Sequence, residues 1–417
     1  MKHVIIGNGP AGVVAAETLR KLDPAAAITL IGDEPEPPYS RMALPYLMMG
    51  EIGEAGTYLR KDPEHYHGLR VELVRDRVDA VDTKGRRVRL KSGGSLAYDR
   101  LLVATGSRPI RPEIPGIDLP GVNACWTMAD ARSIMARATA GTRVLQIGAG
   151  FIGCIILEAL VSRGLKLTVV EMGDRMVPRM MTPVAGTMIR DWCAGKGVRV
   201  HLSARVTAIR RAEGAGDALV ARLDSGEEIE AETIIVAAGV RPNIEFLEGS
   251  GIACATGVVV DATLQSSVQG VYAAGDVAEA FNFTTGKHGI NAIQPSAVEQ
   301  ARQAACNMAG QRVESRGNLT LNVLDTLGLV SSSFGQWWSE PGGESAELVD
   351  TSGFRYLCLQ FGGDVLVGAT CIGLTDHVGV LRGLIEGRVR LGPWKDRLLR
   401  EPLRIAEAYL ARAQGAA

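Results

Sequence analysis

Two glycine-rich loops with the same spacing are the residues of this sequence best suited to chemistry. They read G-x-G-x-x-G and are Gly7-Asn8-Gly9-Pro10-Ala11-Gly12 and Gly148-Ala149-Gly150-Phe151-Ile152-Gly153. In such a loop the first glycine permits a tight turn, the second lets the backbone approach a pyrophosphate, and the third lets a helix pack closely on a strand. The free N–H groups at the start of that helix then face the phosphates. The loops therefore predict two dinucleotide sites in one chain.

Each loop stands between the elements that a dinucleotide site requires. An apolar run at 3–6 predicts a strand before the first loop, and a helix and a strand at 28–31 follow it. Around the second loop the same order comprises strands at 144–147 and 167–170 with a helix between them. An acidic residue follows the later strand in both copies, as in the dinucleotide-binding fingerprint. This context argues against glycine-rich loops that bind no nucleotide.

The remaining sequence indicates more β-structure and a separate C-terminal block. Short apolar runs between the loops and after the second loop predict strands at 71–74, 78–81, 86–90, 100–104, 198–202, 207–210, 218–223 and 234–236. From about Leu321 short strands are followed by helical segments, which indicates an α+β domain at 323–417.

Composition excludes several classes of function. The 417 residues include 45 Lys and Arg against 46 Asp and Glu, so the chain lacks the basic surface expected for nucleic acid or anionic lipid. The apolar stretch 144–161 contains Gln146 and Glu158, which favours a strand and a helix over a membrane span. Seven scattered cysteines without a C-x-x-C pair argue against a metal or iron–sulfur site. With no export signal at the N-terminus, we expect a cytoplasmic protein.

Five motifs in order along the chain resemble those of the two-dinucleotide-binding flavoproteins related to glutathione reductase. They are the 7–12 loop, Pro38-Tyr39-Ser40-Arg41, the motif at 98–106 that ends in Ala104-Thr105-Gly106, the motif at 234–243 that contains Gly239, and Val271-Tyr272-Ala273-Ala274-Gly275-Asp276. Within that superfamily the chain is most similar to the NADH-dependent rubredoxin reductase, ferredoxin reductase and nitrite reductase flavoproteins. The resemblance covers about residues 1–320 with specific motifs, and the C-terminal block more loosely.

The resemblance implies an α/β fold with two Rossmann-like domains of the three-layer ββα type and a C-terminal α+β domain. The FAD-binding domain would be discontinuous, built from 1–112 and 243–322. The NAD-binding domain, 113–242, would be inserted between these segments, and 323–417 would form the C-terminal domain. The implied cofactors are FAD and NAD.

Family likeness also assigns roles around the adenine half of FAD. The 7–12 loop would hold the pyrophosphate, and Arg41 would reach the FAD phosphates. Either Asp33 or Glu34 would contact the ribose. Val78 would touch the adenine or be a plain core valine, and the sequence favours neither interpretation.

At the flavin end of FAD, the resemblance assigns Asp276 to a hydrogen bond with the ribityl chain. Gln294 would begin a helix whose N-terminus points at the pyrimidine ring of the flavin. Such a helix dipole stabilises negative charge on the reduced flavin.

Glu171 ends the second dinucleotide unit, where a carboxylate would bind a ribose with a free 2′-hydroxyl group. A 2′-phosphate would be repelled, so the sequence predicts NADH in preference to NADPH. Arg175 weakens this prediction, because an arginine nearby can accommodate a phosphate. The alternative interpretation of Glu171 is a surface glutamate.

Three departures from family patterns bear on mechanism. Ferredoxin reductases carry a lysine where this chain has Tyr46, and its partner glutamate is replaced by Ile155. Both charges are lost together, which avoids one buried unpaired charge but alters how nicotinamide is positioned. Residues 39–53 contain no cysteine, unlike disulfide reductases and peroxidases of the superfamily. Cys154 is interpreted as a small buried residue, so no nucleophilic thiol and no catalytic residue are assigned.

The function implied is an FAD-dependent NADH:acceptor oxidoreductase that exchanges electrons with a redox protein. The partner would be a rubredoxin, a ferredoxin or an iron–sulfur subunit of a hetero-oligomeric complex. The loss of the charged pair favours a complex subunit over a free-standing reductase. Two alternatives remain open: an NADH oxidase or quinone reductase that acts on a small acceptor, and a flavin-bound scaffold whose nicotinamide site is impaired.

Overall fold

The computed structural model describes residues 1–214, 216–339 and 342–412, which fold into two compact units. The first unit comprises Met1–Arg108 and Val240–Asn318, and the second comprises the described parts of Pro109–Gly239 and Leu319–Ala417. Each unit is therefore built from two separate stretches of chain. Within the described residues, no helix is long and apolar enough to cross a membrane.

A five-stranded parallel sheet forms the centre of the first unit. Its strands, in spatial order, are Val271–Ala273, Arg100–Val103, Lys2–Ile6, Ala27–Gly32 and Val71–Arg75. The central strands are short apolar runs that are almost fully buried, as expected for a parallel sheet covered on both faces. The helices Pro10–Leu22 and Gln294–Met308 pack against each other and contact this sheet.

Smaller elements complete the first unit. An antiparallel sheet of Val78–Asp82, Arg87–Leu90 and Ser95–Ala97 shares the hydrophobic core with the parallel sheet. The other elements are a sheet of Val258–Val259, Ala278–Asn282 and Lys287–Ile290, a ribbon of Ser107–Pro109 and Val240–Pro242, and the short helices Arg41–Ala43, Leu44–Met49, Glu54–Thr57, His65–Gly68 and Glu245–Leu247.

The second unit begins with the same architecture. Its parallel sheet has the order Arg199–His201, Lys166–Val170, Arg143–Ile147, Thr233–Val236 and Val122–Ala124, and its antiparallel sheet consists of Val206–Arg211, Leu219–Leu223 and Glu228–Ala231. The helices of this part are Met128–Arg137, Phe151–Ser162 and Pro183–Gly195.

The C-terminal part of the second unit is an antiparallel sheet followed by helices. The sheet has the order Leu321–Thr326, Leu329–Gly335, Val365–Ile372, Arg355–Gly362 and Glu344–Asp350, and the helices are Val378–Glu386, Pro393–Arg400 and Ile405–Arg412. It contacts the preceding part through Thr182, whose hydroxyl donates to the Tyr356 hydroxyl at 3.0 Å, and through Trp192, whose indole N–H donates to the Leu327 carbonyl.

The α/β class with two Rossmann-like cores is confirmed. Strands missed at Ser95–Ala97 and Glu228–Ala231 are short and half polar, so they lack the apolar run that identifies a strand in the sequence. Both lie in antiparallel sheets, where one face can remain polar.

His3 is a buried ionisable side chain in the central sheet of the first unit. His3 lies on the strand Lys2–Ile6 and is 1% exposed, and neither ring nitrogen has a hydrogen-bond partner among the described residues. Burial lowers the pKa of His3 below its ordinary 6.5, and the Asp23 carboxylate, 3.8 Å away, opposes part of this shift. The unfolded chain therefore binds a proton more readily than the folded protein.

We predict that His3 makes the protein less stable as the pH falls below about 7. Stability contributed by the neutral imidazole is present above the pKa of the unfolded chain and is lost towards the lower pKa of the folded state. Thermal unfolding midpoints should fall more steeply between pH 7 and 5 for the native protein than for His3→Val. His67→Gln, which removes an 89% exposed side chain, is the control. Equal decreases of the unfolding midpoint with pH in the native protein and His3→Val would contradict the prediction.

Candidate functional site

The first glycine loop makes the close approaches that its glycines permit. It follows the strand Lys2–Ile6, and Gly7 has a φ of +110°, which favours glycine. A Cβ on Gly7 would overlap with the carbonyl oxygen of Ala104, and a Cβ on Gly12 with that of Gly7. A Cβ on Gly9, by contrast, would have no heavy atom within 4 Å. The space beside Gly9 is therefore open, as a loop that receives a pyrophosphate requires.

The second loop repeats this geometry after the strand Arg143–Ile147. Gly148 has a φ of +103°, and a Cβ there would overlap with the carbonyl oxygen of Ala237. A Cβ on Gly153 would overlap with the carbonyl oxygen of Gly148, whereas one on Gly150 would have no heavy atom within 4 Å. The two loops are thus structural equivalents, position by position.

A helix begins directly after the open glycine of each loop. Gly9 and Gly150 are the N-cap residues, and no side chain caps either helix within the described residues. The first-turn positions are Pro10, Ala11, Phe151 and Ile152. Uncapped N–H groups and the partial positive charge of a helix N-terminus suit a phosphate. Both cradles therefore fit the pyrophosphate of a dinucleotide.

Glu171 holds the second loop from the end of the strand Lys166–Val170. Its Oε2 accepts a hydrogen bond from the N–H of Ala149 at 2.6 Å, and its Oε1 accepts one from the N–H of Gly173 at 2.7 Å. Glu171 is 9% exposed, which excludes the surface-glutamate interpretation. Because a carboxylate oxygen can accept more than one hydrogen bond, capacity remains for a ribose hydroxyl.

In the first unit the counterpart of Glu171 is a glycine. The registers of the two sheets place Gly32, the last residue of the strand Ala27–Gly32, at the equivalent position. A Cβ on Gly32 would overlap with the side-chain amide of Asn8, so Asn8 lies where a longer side chain would be. Asp33 is exposed and Glu34 is half-buried. The two acidic candidates therefore lie one and two residues beyond the position that Glu171 has in the second unit.

Glu34 and Arg41, both candidate FAD contacts, bind each other. Glu34 accepts from the Tyr39 hydroxyl at 2.5 Å and from Nη2 of Arg41 at 2.7 Å. The Arg41 side chain is partly exposed. The structure thus joins the segment after the second strand to the Tyr39-Ser40-Arg41 motif and leaves Asp33 outside this cluster.

Ala104, Thr105 and Gly106 follow the strand Arg100–Val103, which lies beside the first loop. The Thr105 hydroxyl donates to the carbonyl oxygen of Asn243 at 2.9 Å, and the Asn243 side-chain amide donates to the carbonyl oxygen of Thr105 at 2.9 Å. The Asn243 N–H donates to the carbonyl oxygen of Gly106. These bonds join the two distant chain segments of the first unit.

Asp276 lies in a partly buried position beside the same motif. Ser107 donates to its Oδ2 at 2.7 Å. Burial raises the pKa of Asp276, while the Ser107 hydrogen bond and the charge of Arg41 act in the opposite direction. The preceding Gly275 donates its N–H to the side chain of Gln300 at 2.9 Å. Asp276 is therefore held at its carboxylate, and the residue before it is held through its backbone.

The helix that begins at Gln294 also meets the first loop. Gln294 accepts a hydrogen bond from the Ser40 hydroxyl at 2.8 Å. A Cβ on Gly275 would lie 3.4 Å from the Cβ atoms of Ala11 and Ala297, one on each of the two packed helices. The structure therefore brings the first loop, the Asp276 segment and the start of this helix together.

Other singled-out residues lie apart from these contacts. Val78 is buried in the hydrophobic core of the first unit. Gly239, with a φ of +100°, accepts a hydrogen bond from the N–H of Ile110 in the second unit. Tyr46 is 51% exposed and Ile155 is half-buried, each on a helix of its own unit.

The described part of the chain contains no disulfide and no cluster of metal ligands. All seven cysteines are free, and no group of three or more His, Cys, Asp or Glu among the described residues could hold a metal ion. Cys154 is fully buried, and burial raises its pKa well above the ordinary value. Its thiol therefore stays protonated near neutral pH.

Three residues that support the site were missed from the sequence. Asn8 carries a weak signal as a variable position inside the first loop. Ser107 and Gln300 carry none, because their partners Asp276 and Gly275 are 169 and 25 residues away in sequence.

Comparisons with known proteins agree with this geometry. The family model described as pyridine nucleotide-disulphide oxidoreductase matches residues 1–305. The NADH-dependent phenylglyoxylate dehydrogenase subunit epsilon of Aromatoleum evansii is 30% identical over 413 residues, which is 98% of this chain and 97% of the relative. Rubredoxin-NAD(+) reductase of Pseudomonas putida is 31% identical over 311 residues, 74% of this chain and 80% of the relative.

Solved structures extend the similarity to nearly the whole chain. A ferredoxin reductase for the CYP199A2 system from Rhodopseudomonas palustris superposes with a TM-score of 0.84 at 26% identity, covering 91% of this chain and 93% of that one. Putidaredoxin reductase, in its covalent complex with putidaredoxin, superposes with a TM-score of 0.90 over 98% of both chains; at 22% identity it shows the fold alone. The comparisons confirm the predicted resemblance and the cofactors FAD and NAD. The chain belongs to the pyridine nucleotide-disulphide oxidoreductase family.

Proposed function

We propose that this protein carries electrons between NADH and a redox protein, as the FAD-bearing subunit of a larger NAD-linked oxidoreductase. The observation that carries the proposal is the pair of equivalent glycine loops, each opening onto an uncapped helix N-terminus beside an open glycine. Residues 1–112 and 243–322 would hold FAD and 113–242 would hold NAD. Residues 323–417 would form the third domain.

On the FAD side, the chain's own residues bind and orient. The 7–12 loop would receive the pyrophosphate, and Arg41 would neutralise phosphate charge when it exchanges its Glu34 contact for the nucleotide. Asp276, held by Ser107, would accept or donate a hydrogen bond at the ribityl chain. The helix beginning at Gln294 would direct its positive end at the flavin.

On the NAD side, the 148–153 loop would receive the second pyrophosphate. Glu171 would accept a hydrogen bond from the adenosine ribose through the lone pairs that its two backbone contacts leave free. A 2′-phosphate would bring negative charge against this carboxylate, so NADH is the expected nucleotide.

FAD, when bound, supplies the chemistry, because it accepts two electrons from a nicotinamide and releases them one at a time. The chain therefore needs no acid, base or thiol of its own, and we assign it no catalytic residue. The fully buried, protonated Cys154 agrees with this assignment.

The complex-subunit role is favoured by the extent of similarity. The phenylglyoxylate dehydrogenase subunit matches 98% of the chain, whereas the ferredoxin and rubredoxin reductases among the relatives match 66–76% of it. By analogy, this chain would receive electrons from an iron–sulfur subunit of an oxoacid or aldehyde oxidoreductase and reduce NAD⁺. Replacement of the charged pair by Tyr46 and Ile155 also separates the chain from free-standing reductases. A cytoplasmic location, where thiols stay reduced, suits seven free cysteines.

An anaerobic titration tests the nicotinamide site. We expect NADH to bleach the flavin absorbance of the purified, FAD-loaded protein stoichiometrically, and NADPH to do so only at much higher concentration. NADH that leaves the flavin oxidised would contradict the proposal and favour the scaffold alternative. Rapid NADH consumption in air, exceeding the rate with a protein acceptor, would favour the oxidase alternative.

A matched pair of substitutions tests which loop holds which nucleotide. Gly9→Val and Gly150→Val each place a side chain in open space, so we expect the apoprotein to fold in both cases. Gly9→Val should be purified without flavin. Gly150→Val should retain FAD but resist bleaching by NADH. Absorbance spectra measure both effects, and the reverse pattern would exchange the two assignments.

Isolation from the native host tests the partner. We expect the chain to copurify with an iron–sulfur protein in a hetero-oligomer whose mass native mass spectrometry resolves. A lone monomer or homodimer under gentle conditions would contradict the complex-subunit role, although the NADH titration could still succeed.

A further inference from the structure

The backbone of Ala149, inside the second glycine loop, is held at both its N–H and its carbonyl oxygen. Its N–H donates to Glu171, and its carbonyl oxygen accepts from the N–H of Val177 at 2.8 Å. The Cys154 thiol lies against the same carbonyl oxygen at 3.6 Å. These contacts orient the two peptide groups that join Ala149 to Gly148 and to Gly150. Glu171 and the segment that follows it therefore hold the shape of the loop.

Val177 makes its contact from an unfavourable backbone conformation. Its φ is +50°, in the left-handed region that β-branched residues rarely adopt, and it is 1% exposed. Its own carbonyl oxygen accepts from the N–H groups of Met180 and Met181. Such strain persists only where surrounding contacts impose it, and it concentrates at functional sites.

Arg175 supplies those surrounding contacts. Its Nε donates to the carbonyl oxygen of Met181 at 3.1 Å, Nη2 to that of Pro178 at 3.3 Å, and Nη1 to Asp174 at 2.7 Å. All three nitrogens of the guanidinium are thus engaged, and the side chain is 19% exposed. Gly186 lets the next helix pack on its aliphatic stem, because a Cβ there would lie 2.9 Å from the Cβ of Arg175.

We propose that Arg175 is a positioning residue that braces the strained turn at Val177 and thereby holds the Ala149 backbone and Glu171 in the geometry that binds NAD. The inference rests on the proposed function of the 148–153 loop as the NAD site. It removes the objection that Arg175 accommodates a 2′-phosphate, since the guanidinium is committed to the turn.

The two possible roles of Arg175, bracing the turn and binding a phosphate, predict different results for conservative substitutions. A contact with phosphate depends on charge, so lysine would largely replace arginine. Bracing depends on a planar fork that reaches two carbonyl oxygens at once, which the single ammonium group of lysine does not reproduce. Under bracing, Arg175→Lys and Arg175→Gln therefore weaken binding to a similar extent.

The experiment is calorimetric titration of the oxidised, FAD-loaded protein with NAD⁺. We expect the Kd to rise roughly tenfold in both Arg175→Lys and Arg175→Gln, a loss on the scale of one or two hydrogen bonds from a charged group. FAD content should stay unchanged. Arg179→Gln, which alters an exposed arginine four residues away, is the control and should bind like the native protein. Near-native binding by Arg175→Lys, or by both variants, would overturn the proposal.

A double-mutant cycle distinguishes positioning from general loss of structure. If Arg175 acts through the network of Glu171, the effects of Arg175→Gln and Glu171→Gln on the Kd are not additive. The double variant should then bind NAD⁺ more tightly than the product of the two single effects predicts. Strict additivity would overturn the proposal.

Thermal unfolding tests the strain at Val177 separately, without nucleotide. Alanine normally stabilises a chain more than glycine, but at a positive φ the order reverses. We expect Val177→Gly to unfold at a temperature equal to or above that of Val177→Ala. A lower unfolding temperature for Val177→Gly than for Val177→Ala would contradict backbone strain at Val177. Failure of the native protein to bind NAD⁺ would instead remove the proposed function, and the inference with it.

Discussion

The contact on which both nucleotide-binding units depend is the approach of the third loop glycine to the carbonyl oxygen of the first. Gly12 meets Gly7 in this way and Gly153 meets Gly148, at separations that leave no space for a Cβ. Only this spacing lets a helix start so close to the strand before it that its free N–H groups face the nucleotide. In both units, the start of the helix is therefore fixed against the end of the strand before it.

The same backbone geometry is supported by different chemistry in the two units. In the second unit, the Glu171 carboxylate binds the N–H of Ala149 and the N–H of Val177 binds its carbonyl oxygen. In the first, the neutral amide of Asn8 lies against Gly32. An anionic support favours a ribose with a free 2′-hydroxyl group and repels a 2′-phosphate. Under the proposed function, the two copies of this backbone geometry therefore differ in one respect: only the second would discriminate NADH from NADPH.

Both glycine loops and their flanking strands could be predicted from local sequence patterns, because each loop and its strands are contiguous in sequence. The strands Lys2–Ile6 and Arg143–Ile147 lie where short apolar runs indicated them. Contacts from residues distant in sequence could not be predicted. Ser107 binds Asp276 across 169 positions, and no periodicity in the sequence marks such a pair. The short, half-polar strand Glu228–Ala231 was missed because its stability comes from its neighbours in the sheet.

Under the proposed function, the chain needs no acid, base or thiol of its own, which is consistent with its departures from the expected family pattern. When bound cofactors supply the redox chemistry, a protein acts by holding them at the correct distance and orientation. On that proposal, neither Tyr46 nor Ile155 has to move a proton at the positions where the resemblance implies a charged pair. Function becomes most sensitive where orientation is set, which is in the loop peptides and the contacts that hold them. A strained residue such as Val177, kept beside a nucleotide loop against its own backbone preference, is a physical mark of that sensitivity.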